Sequence, residues 1–383
     1  MNLAELLHPM TPEEFAQEYW EKEPVIIRGA AGRFRGLFGS TDIASLVHYL
    51  RPKPGQGMML VKGSKHADVN WITPDGMPKL DKVREAWRDG YSIVVNDLGK
   101  LWAPVGELQA SLQEQLHHNV HVNLYLTPSS SQAFVPHFDI MDVFVLQVEG
   151  SKRWQLRGAA ADLPFEDEHT DVPAAQLPPV RFEEDLLEGD VLYIPRGFVH
   201  AAKATTETSL HLSVGVNITR WIDLLTAAVK SMRGDARLRQ ALPPGFLNGG
   251  ADGMRATFDE MLAILPRETS LDQALSQLAE DLLVKKPAPP AGEGMTSEDV
   301  EVGPETVVAR RPGVICRVFE GPGYAGVQYS GGKMVGPPKI LQAVRHIADH
   351  RRFPVRELAG DLSEKETLVL VRRLMRDGVL TLG

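Results

Sequence analysis

Two segments of the chain alternate apolar and polar residues with a period of two, the pattern of a β-strand that buries one face. The first is "VHVNLYLT" (120–127) and the second is "SLHLSVGVNI" (209–218). Between them, shorter apolar runs are separated by turn signals at Gly150–Ser151 and Pro195–Gly197. Many short strands divided by such turns predict a β-sandwich or a β-barrel.

The regions on either side of these strands have a different pattern. The N-terminal region mixes helix-like and strand-like stretches, and Thr11 is predicted to cap a helix. Apolar residues recur at helical spacing from Trp221 to Met232, and a tract rich in proline, glycine and charge follows at 285–305. The last section closes with a helix capped by Ser363 and a short strand, an order that resembles a winged helix. We therefore predict an α/β and β-rich domain at 1–219, a helical segment at 220–284, a linker at 285–304 and a winged-helix-like domain at 305–383.

The charge of the chain argues against a dedicated nucleic-acid-binding protein. The formal net charge is −9, whereas such proteins are usually basic. The tail Lys333–Gly383 contains ten Lys/Arg and six Asp/Glu, a charge of +4, so the rest of the chain carries −13. A surface for a ribonucleoprotein and ordinary solvated helix faces both explain this mild basic bias.

The cysteine count and the apolar runs indicate the compartment. Cys316 is the only cysteine, which excludes an intrachain disulfide and favours a reducing environment. The N-terminus lacks the basic and apolar regions of a signal peptide. No apolar window is long enough to span a bilayer. We expect a cytoplasmic protein without a membrane segment.

A histidine and a carboxylate stand two residues apart in "VPHFDIMDVFVLQVEG". If this stretch is extended, His137 and Asp139 point to the same side and can bind one ion. His200, which follows the Pro195–Gly197 turn, is the candidate third ligand. Two histidines and one carboxylate leave three positions of an octahedron open, as in non-haem Fe(II) oxygenases. Catalytic zinc is the competing metal, and ordinary partly buried histidines are the non-functional alternative.

Other polar residues are predicted to surround this centre. His121, Asn123 and Tyr125 share one face of the first alternating segment, and His211, Ser213 and Asn217 share one face of the second. These faces line the mouth of a barrel if their apolar sides pack under helices, and otherwise they face water. Lys152 or Arg153 can pair with a carboxylate of an anionic cosubstrate.

The segments "VPHFDIMDVFVLQVEGSKRW" and "EGDVLYIPRGFVHAAKATTETSLHLSVGV" resemble the JmjC-type 2-oxoglutarate oxygenases, and within them the ribosomal oxygenase group. The N-terminal "YWEKEPVIIRG" is similar to the entry segment of JmjC domains. The resemblance implies an α+β protein with a double-stranded β-helix (a cupin-like jelly-roll barrel), a helical dimerisation segment and a C-terminal winged helix. It also implies a homodimer.

The resemblance further implies the roles of single residues. His137, Asp139 and His200 correspond to the Fe(II) ligands, and Lys152 corresponds to the basic residue that binds the distal carboxylate of 2-oxoglutarate. Asn123 and Ser213 match polar positions of the cosubstrate pocket. The resemblance therefore implies that these residues form one site for Fe(II), 2-oxoglutarate and O₂.

The implied activity is hydroxylation of a ribosomal protein side chain, at the β-carbon of an arginine or a histidine. In this reaction 2-oxoglutarate is decarboxylated to succinate. Two alternatives stay open. One is another JmjC oxygenase activity, either N-methyl demethylation or hydroxylation of a small molecule. The other is a cupin-like adaptor without catalysis.

Overall fold

The structure is a computed structural model that describes residues 1–50, 57–167, 172–248, 253–284, 301–358 and 360–383. The chain divides into two compact units, Met1–Ile218 and Thr219–Gly383. Most of the predicted linker, residues 285–300, lies outside the described residues. Within the described ranges, no helix has the length and apolar character needed to cross a membrane.

The first unit combines helices with antiparallel strands. Its described helices are α1 (Leu3–Leu7), α2 (Pro12–Glu18), α3 (Ile43–Tyr49), α4 (Leu80–Arg88) and α5 (Ala103–Leu116). Its described strands are β1 (Val25–Ile27), β2 (Met58–Lys62), β3 (Lys65–His66), β4 (Ser92–Val95), β5 (Asn119–Thr127), β6 (Asp142–Glu149), β7 (Lys152–Ala159), β8 (Val180–Leu186), β9 (Val191–Ile194), β10 (Phe198–Ala204) and β11 (Ser209–Asn217). The Thr11 side chain accepts a hydrogen bond from the Glu14 backbone N–H, which confirms the predicted cap of α2.

The strands form two sheets that pack on each other. The larger sheet has the order β1-β9-β6-β11-β5-β4-β2-β3, and the smaller has the order β10-β7-β8. Val145 on β6, Leu156 on β7 and Phe198 on β10 belong to one buried apolar cluster. Because this cluster draws on both sheets, the sheets face each other across it. This is the two-sheet architecture predicted for a double-stranded β-helix.

The alternation in β5 and β11 has a direct structural cause. The two strands pair antiparallel over their whole length, with Asn123 opposite Ser213. Their apolar residues are buried in a cluster that includes residues of α1, α2 and α5. Since successive side chains of a strand point to opposite faces, the polar residues are turned away from these helices. The apolar sides of β5 and β11 thus pack under helices, which is the arrangement in which their polar sides line the interior.

The segment that contains His137 and Asp139 is not a regular strand. Residues 128–141, between β5 and β6, are irregular apart from an isolated bridge that pairs His137 with His200. The extended strand on which the shared face of His137 and Asp139 depended is therefore not formed. Pro136 has no N–H to donate to a ladder, which disfavours a regular strand at this point.

The second unit contains the predicted helices and a β-rich C-terminal part. Its described helices are α6 (Trp221–Ser231), α7 (Arg255–Glu268), α8 (Leu271–Ala279), α9 (Leu341–Asp349) and α10 (Glu364–Arg376). Its described strands are β12 (Val307–Arg310), β13 (Cys316–Gly321), β14 (Tyr324–Tyr329), β15 (Gly332–Gly336), β16 (Arg352–Pro354) and β17 (Leu380–Leu382). They form two three-stranded sheets, β16-β12-β17 and β13-β14-β15. Ser363 caps α10 by accepting from the Glu366 backbone N–H, as predicted.

Candidate metal centre

The structure brings the three predicted metal ligands together. Nε2 of His200 lies 3.5 Å from Oδ2 of Asp139, and Nε2 of His137 lies 3.9 Å from Oδ1 of the same carboxylate. One ligand atom from each residue lies within 4.8 Å of the other two. Atoms that bind one ion at about 2.1 Å are roughly 3–4 Å apart. Among the described residues, this is the one group of three His, Cys, Asp or Glu with such spacing.

Both imidazoles are oriented by backbone carbonyls. Nδ1 of His137 is 2.8 Å from the carbonyl oxygen of Val135, and Nδ1 of His200 is 3.1 Å from that of Phe198. A carbonyl oxygen only accepts, so Nδ1 carries the proton and donates, and the lone pair remains on Nε2. Burial lowers the pKa of His200 to about 4. That ring is therefore neutral near pH 7, as a metal ligand must be.

Backbone hydrogen bonds hold the two ligand-bearing segments against each other. The His200 N–H donates to the His137 carbonyl at 2.8 Å, and the His137 N–H donates to the His200 carbonyl at 3.2 Å. The Gly197 N–H donates to the Asp139 carbonyl at 2.9 Å. Gly197 has φ +86°, and a Cβ there would meet the Ala161 carbonyl oxygen at 2.1 Å. The turn before His200 therefore requires glycine.

A cavity between the two sheets adjoins the three ligands. Lys152 and Ser213 line it together with His137, Asp139 and His200. The other side chains around it are mostly aromatic or aliphatic and include Tyr125, Phe134, Val145, Trp154, Ile194 and His211. Such a lining excludes water while a few polar groups orient a ligand.

Lys152 is a buried cation at this cavity. Its side chain is 2% exposed, and Nζ donates to Oγ1 of Thr127 at 3.1 Å. No carboxylate of the described residues forms an ion pair with it. Burial without such a partner lowers the pKa of Lys152 to about 7. A buried ammonium that lacks a counter-ion suits a ligand with a carboxylate.

Arg153, the alternative cation, lies elsewhere. Its side chain is about half exposed and forms two hydrogen bonds with Asp185, from Nε at 2.7 Å and from Nη2 at 2.9 Å. Successive residues of β7 point to opposite faces, so Lys152 faces the interior and Arg153 faces solvent. Of the two, Lys152 lines the cavity next to the three candidate ligands.

Two further polar atoms at the cavity have no partner. Nδ1 of His211 and Nε1 of Trp154 are buried without a hydrogen bond among the described residues. The His211 ring stacks on Tyr125 with centroids 4.8 Å apart and planes at 2°. Burial, with a smaller effect from Lys152, lowers the pKa of His211 well below its usual value, so the ring is neutral. Unpaired buried polar atoms on a cavity wall are available to a ligand.

Asn123, which was predicted to line the cosubstrate pocket, has a different environment. Its Oδ1 accepts from the Asp97 backbone N–H at 3.0 Å, and it is not among the described residues that line the cavity. Conversely, Thr127 and Trp154 were not among the predicted site residues, although Thr127 binds Lys152 and Trp154 lines the cavity. The alternation of side chains along a strand could have predicted their position, because Thr127 shares a face with Tyr125 and Trp154 shares a face with Lys152.

Comparison with known proteins finds a family and its relatives. Residues 100–224 match the JmjC domain family. The chain is 30% identical over 310 residues to Ribosomal oxygenase 1 of Gallus gallus, an alignment that covers 73% of this chain and 50% of that protein. It is also 30% identical over 299 residues to the bifunctional lysine-specific demethylase and histidyl-hydroxylase NO66 of Drosophila pseudoobscura pseudoobscura, which covers 72% of this chain and 31% of that protein. The chain thus spans half or less of these two relatives.

Solved structures show the same fold over nearly the whole chain. The E. coli ribosomal oxygenase YcfD superposes with a TM-score of 0.61 and 17% identity, covering 98% of both chains. A second structure of YcfD, in complex with cobalt and 2-oxoglutarate, gives a TM-score of 0.61 and 18% identity over 97% of this chain and 98% of that chain. The sequence match, the two-sheet fold and the clustered ligand set lead to one conclusion: this chain contains a JmjC domain.

Proposed function

We propose that the protein is an Fe(II)- and 2-oxoglutarate-dependent dioxygenase that hydroxylates a ribosomal protein side chain, at the β-carbon of an arginine or a histidine. The observation that carries the proposal is the convergence of His137, Asp139 and His200 beside a cavity that also contains the buried, unpaired ammonium of Lys152. An open metal face beside a cation suits a 2-oxo acid with a second carboxylate.

In this proposal each residue has a defined task. His137 and His200 bind the metal ion through Nε2, and Asp139 binds it through its carboxylate. Lys152 donates to the distal carboxylate of 2-oxoglutarate, and Ser213 offers a hydroxyl to the same pocket. When bound, Fe(II) supplies the redox chemistry by which O₂ and 2-oxoglutarate are converted with a C–H group into succinate, CO₂ and a hydroxyl group. The apolar lining keeps water away from the reacting atoms.

The proposed substrate class is supported by the relatives and by charge. One relative is named a ribosomal oxygenase and another a histidyl-hydroxylase and lysine-specific demethylase. The chain carries a net charge of −9. Proteins that bind nucleic-acid phosphates are basic, so an acidic enzyme attracts them over a distance.

The proposed function predicts a measurable product. Purified protein with Fe(II), ascorbate and 2-oxoglutarate is expected to form succinate when ribosomal proteins are added, and one of those proteins is expected to gain the mass of one oxygen atom. Intact-mass spectrometry measures this change, and fragmentation identifies the residue. Loss of a methyl group would instead indicate demethylation. If no ribosomal fraction stimulates succinate formation, this substrate class is wrong.

We also propose that the helical segment 220–284 forms a homodimer interface. The exposed fractions of Trp221, Ile222 and Leu225 on α6 are 79%, 52% and 64%, and Phe258 on α7 is 56% exposed. A run of large exposed apolar side chains on two helices favours association with a second copy of the chain.

A single charge on this face is expected to separate the proposed dimer. In Trp221→Glu the carboxylate would be buried at the interface, which favours the monomer. Size-exclusion chromatography with light scattering measures the mass of wild type and variant. The exposed Tyr49→Glu substitution, in the first unit, is the control and is expected to leave the mass unchanged. A monomeric wild-type protein would contradict the proposal.

The domain assignment completes the proposal. We assign catalysis to 1–219, and we assign a winged-helix-like domain to 305–383, joined through a linker at 285–304. The C-terminal part contains helices α9 and α10 and two three-stranded sheets, and this combination supports the winged-helix assignment. We further propose that the protein acts in the cytoplasm, where a reducing environment suits the single Cys316.

A further inference from the structure

The metal-ligand segments lie beyond the end of a regular strand pair. Pairing between β6 and β9 ends at Val143 and Ile194. Past that point, the Arg196 backbone N–H donates to Oδ1 of Asp142 at 3.1 Å. The next contact is the bond from the Gly197 N–H to the Asp139 carbonyl, and the bridge between His137 and His200 follows. The Asp142 carboxylate thus provides the hydrogen bond that connects the two chain segments between the end of the β6–β9 pairing and the metal-ligand residues.

Asp142 is part of a buried polar network. Its side chain is fully buried, and the Tyr193 hydroxyl donates to its Oδ2. The Arg196 side chain is 4% exposed, and its Nη1 lies 3.6 Å from Oδ1 of Asp142. Burial raises the pKa of Asp142 to about 6, while the hydrogen bonds from Tyr193 and Arg196 oppose that shift. A buried carboxylate and guanidinium are stable only when both are paired.

Glu21 completes this network from the N-terminal segment. Its carboxylate Oε1 accepts a hydrogen bond from Nη1 of Arg196, and its backbone N–H donates to the Tyr193 hydroxyl at 2.9 Å. The neighbouring Trp20 ring stacks on Tyr193 with planes at 12°. The Glu21 side chain is 29% exposed, so it reaches the buried arginine from the surface.

We propose that Glu21 is a positioning residue of the metal centre, acting through Arg196 and Asp142 on the turn that precedes His200. The inference rests on the proposed metal site. Without Glu21, the buried guanidinium lacks one of its two carboxylate partners and is drawn either toward water or further onto Asp142. Both movements shift the Arg196 backbone, and with it the Gly197 N–H that holds Asp139. The three ligands then no longer meet at the spacing that an ion requires.

Metal titration of full-length variants tests this role. Isothermal titration calorimetry with Co²⁺ alone is expected to show a Kd raised about tenfold or more in Glu21→Ala and in Glu21→Gln, the range reported for outer-shell partners of ligands. Glu23→Ala is the matched control. Glu23 lies two residues away, is 47% exposed and pairs with Arg181 at 2.6 Å, and its loss is expected to leave the Kd unchanged.

The readout separates positioning from general destabilisation. A misfolded fraction that cannot refold lowers the number of Co²⁺ ions bound per chain without changing the Kd, whereas a displaced ligand changes the Kd at full stoichiometry. Reversible unfolding also raises the apparent Kd, so the Kd values are compared only for variants whose circular dichroism and thermal melting show them fully folded at the titration temperature. If Glu21→Ala does not fold, Glu21→Gln decides, because it keeps the size of the side chain and removes the charge. Wild-type affinity in the folded variants overturns this inference alone. A wild-type protein that binds no Co²⁺ overturns the proposed metal site as well.

Discussion

Replacing His200 with alanine is expected to lower succinate formation by more than about a hundredfold, since even outer-shell residues of metal sites contribute 10–100-fold. His200 is the most buried of the three proposed ligands, and its Nε2 faces the Asp139 carboxylate at 3.5 Å. Its removal leaves one imidazole and one carboxylate, too few to hold a ferrous ion against water. Succinate release and bound iron per chain, measured on the same preparation, check the result.

A histidine outside the cavity provides the control for this experiment. His66 on β3 is exposed, and His66→Ala is expected to keep both iron and activity. The backbone bonds of residue 200 do not involve its side chain, so the His200 variant is expected to fold and to show an unchanged circular dichroism spectrum. Unaltered iron content in that variant would remove His200 from the proposed ligand set.

The second large effect is expected at Lys152. Lys152→Met keeps the length of the side chain and removes its charge, so the KM for 2-oxoglutarate is expected to rise at least about 30-fold, which corresponds to about 2 kcal/mol for a lost buried charge partner. The melting temperature is expected to stay constant or to rise, because an unpaired buried ammonium is itself unfavourable. Initial rates at varied 2-oxoglutarate, together with thermal melting, measure both effects.

The same lysine predicts a pH dependence with a definite sign. Burial lowers the pKa of Lys152 to about 7, and a bound carboxylate raises it again. 2-Oxoglutarate therefore binds most strongly below that pKa. As the pH rises through it, the Kd of 2-oxoglutarate increases by up to about tenfold per pH unit. The dependence should vanish in Lys152→Met and persist in Lys203→Met, which alters an exposed lysine on β10. A pH-independent Kd in wild type would contradict the assigned role of Lys152.

Strand periodicity predicted most of the first unit. The alternation in β5 and β11 determined which residues face the helices and which face the interior, because a strand offers only two sides. The condition set for His137 and Asp139, an extended strand, is not met in the structure. His137 meets His200 through a backbone bridge between residues 63 positions apart, and no local pattern encodes such a contact. Residue types and spacing made these three residues candidate ligands, and the family resemblance implied their role in binding Fe(II).

The cavity was harder to predict than the ligands. Lys152 and Arg153 are adjacent, and their residue types alone do not separate them. The family resemblance indicated Lys152, and the register of β7 turns that residue to the interior. Asn123 has the same parity as Tyr125, yet its amide oxygen accepts from the Asp97 backbone N–H and the residue is not among those that line the cavity. The link from Glu21 to Arg196 joins segments at opposite ends of the first unit, so it depends on tertiary packing. Parity assigns a side to each residue, but the partner on that side follows from the complete fold.

The full-length pairing of β5 with β11 has a consequence for how this protein can evolve. A point substitution within β11 changes one side chain, whereas an inserted or deleted residue would exchange the two faces downstream of it. Leucines and valines would then enter the cavity, and histidine and serine would enter the apolar layer beneath the helices. Sequence variants of this strand should therefore keep its length and its alternation of apolar and polar residues, even where single side chains differ.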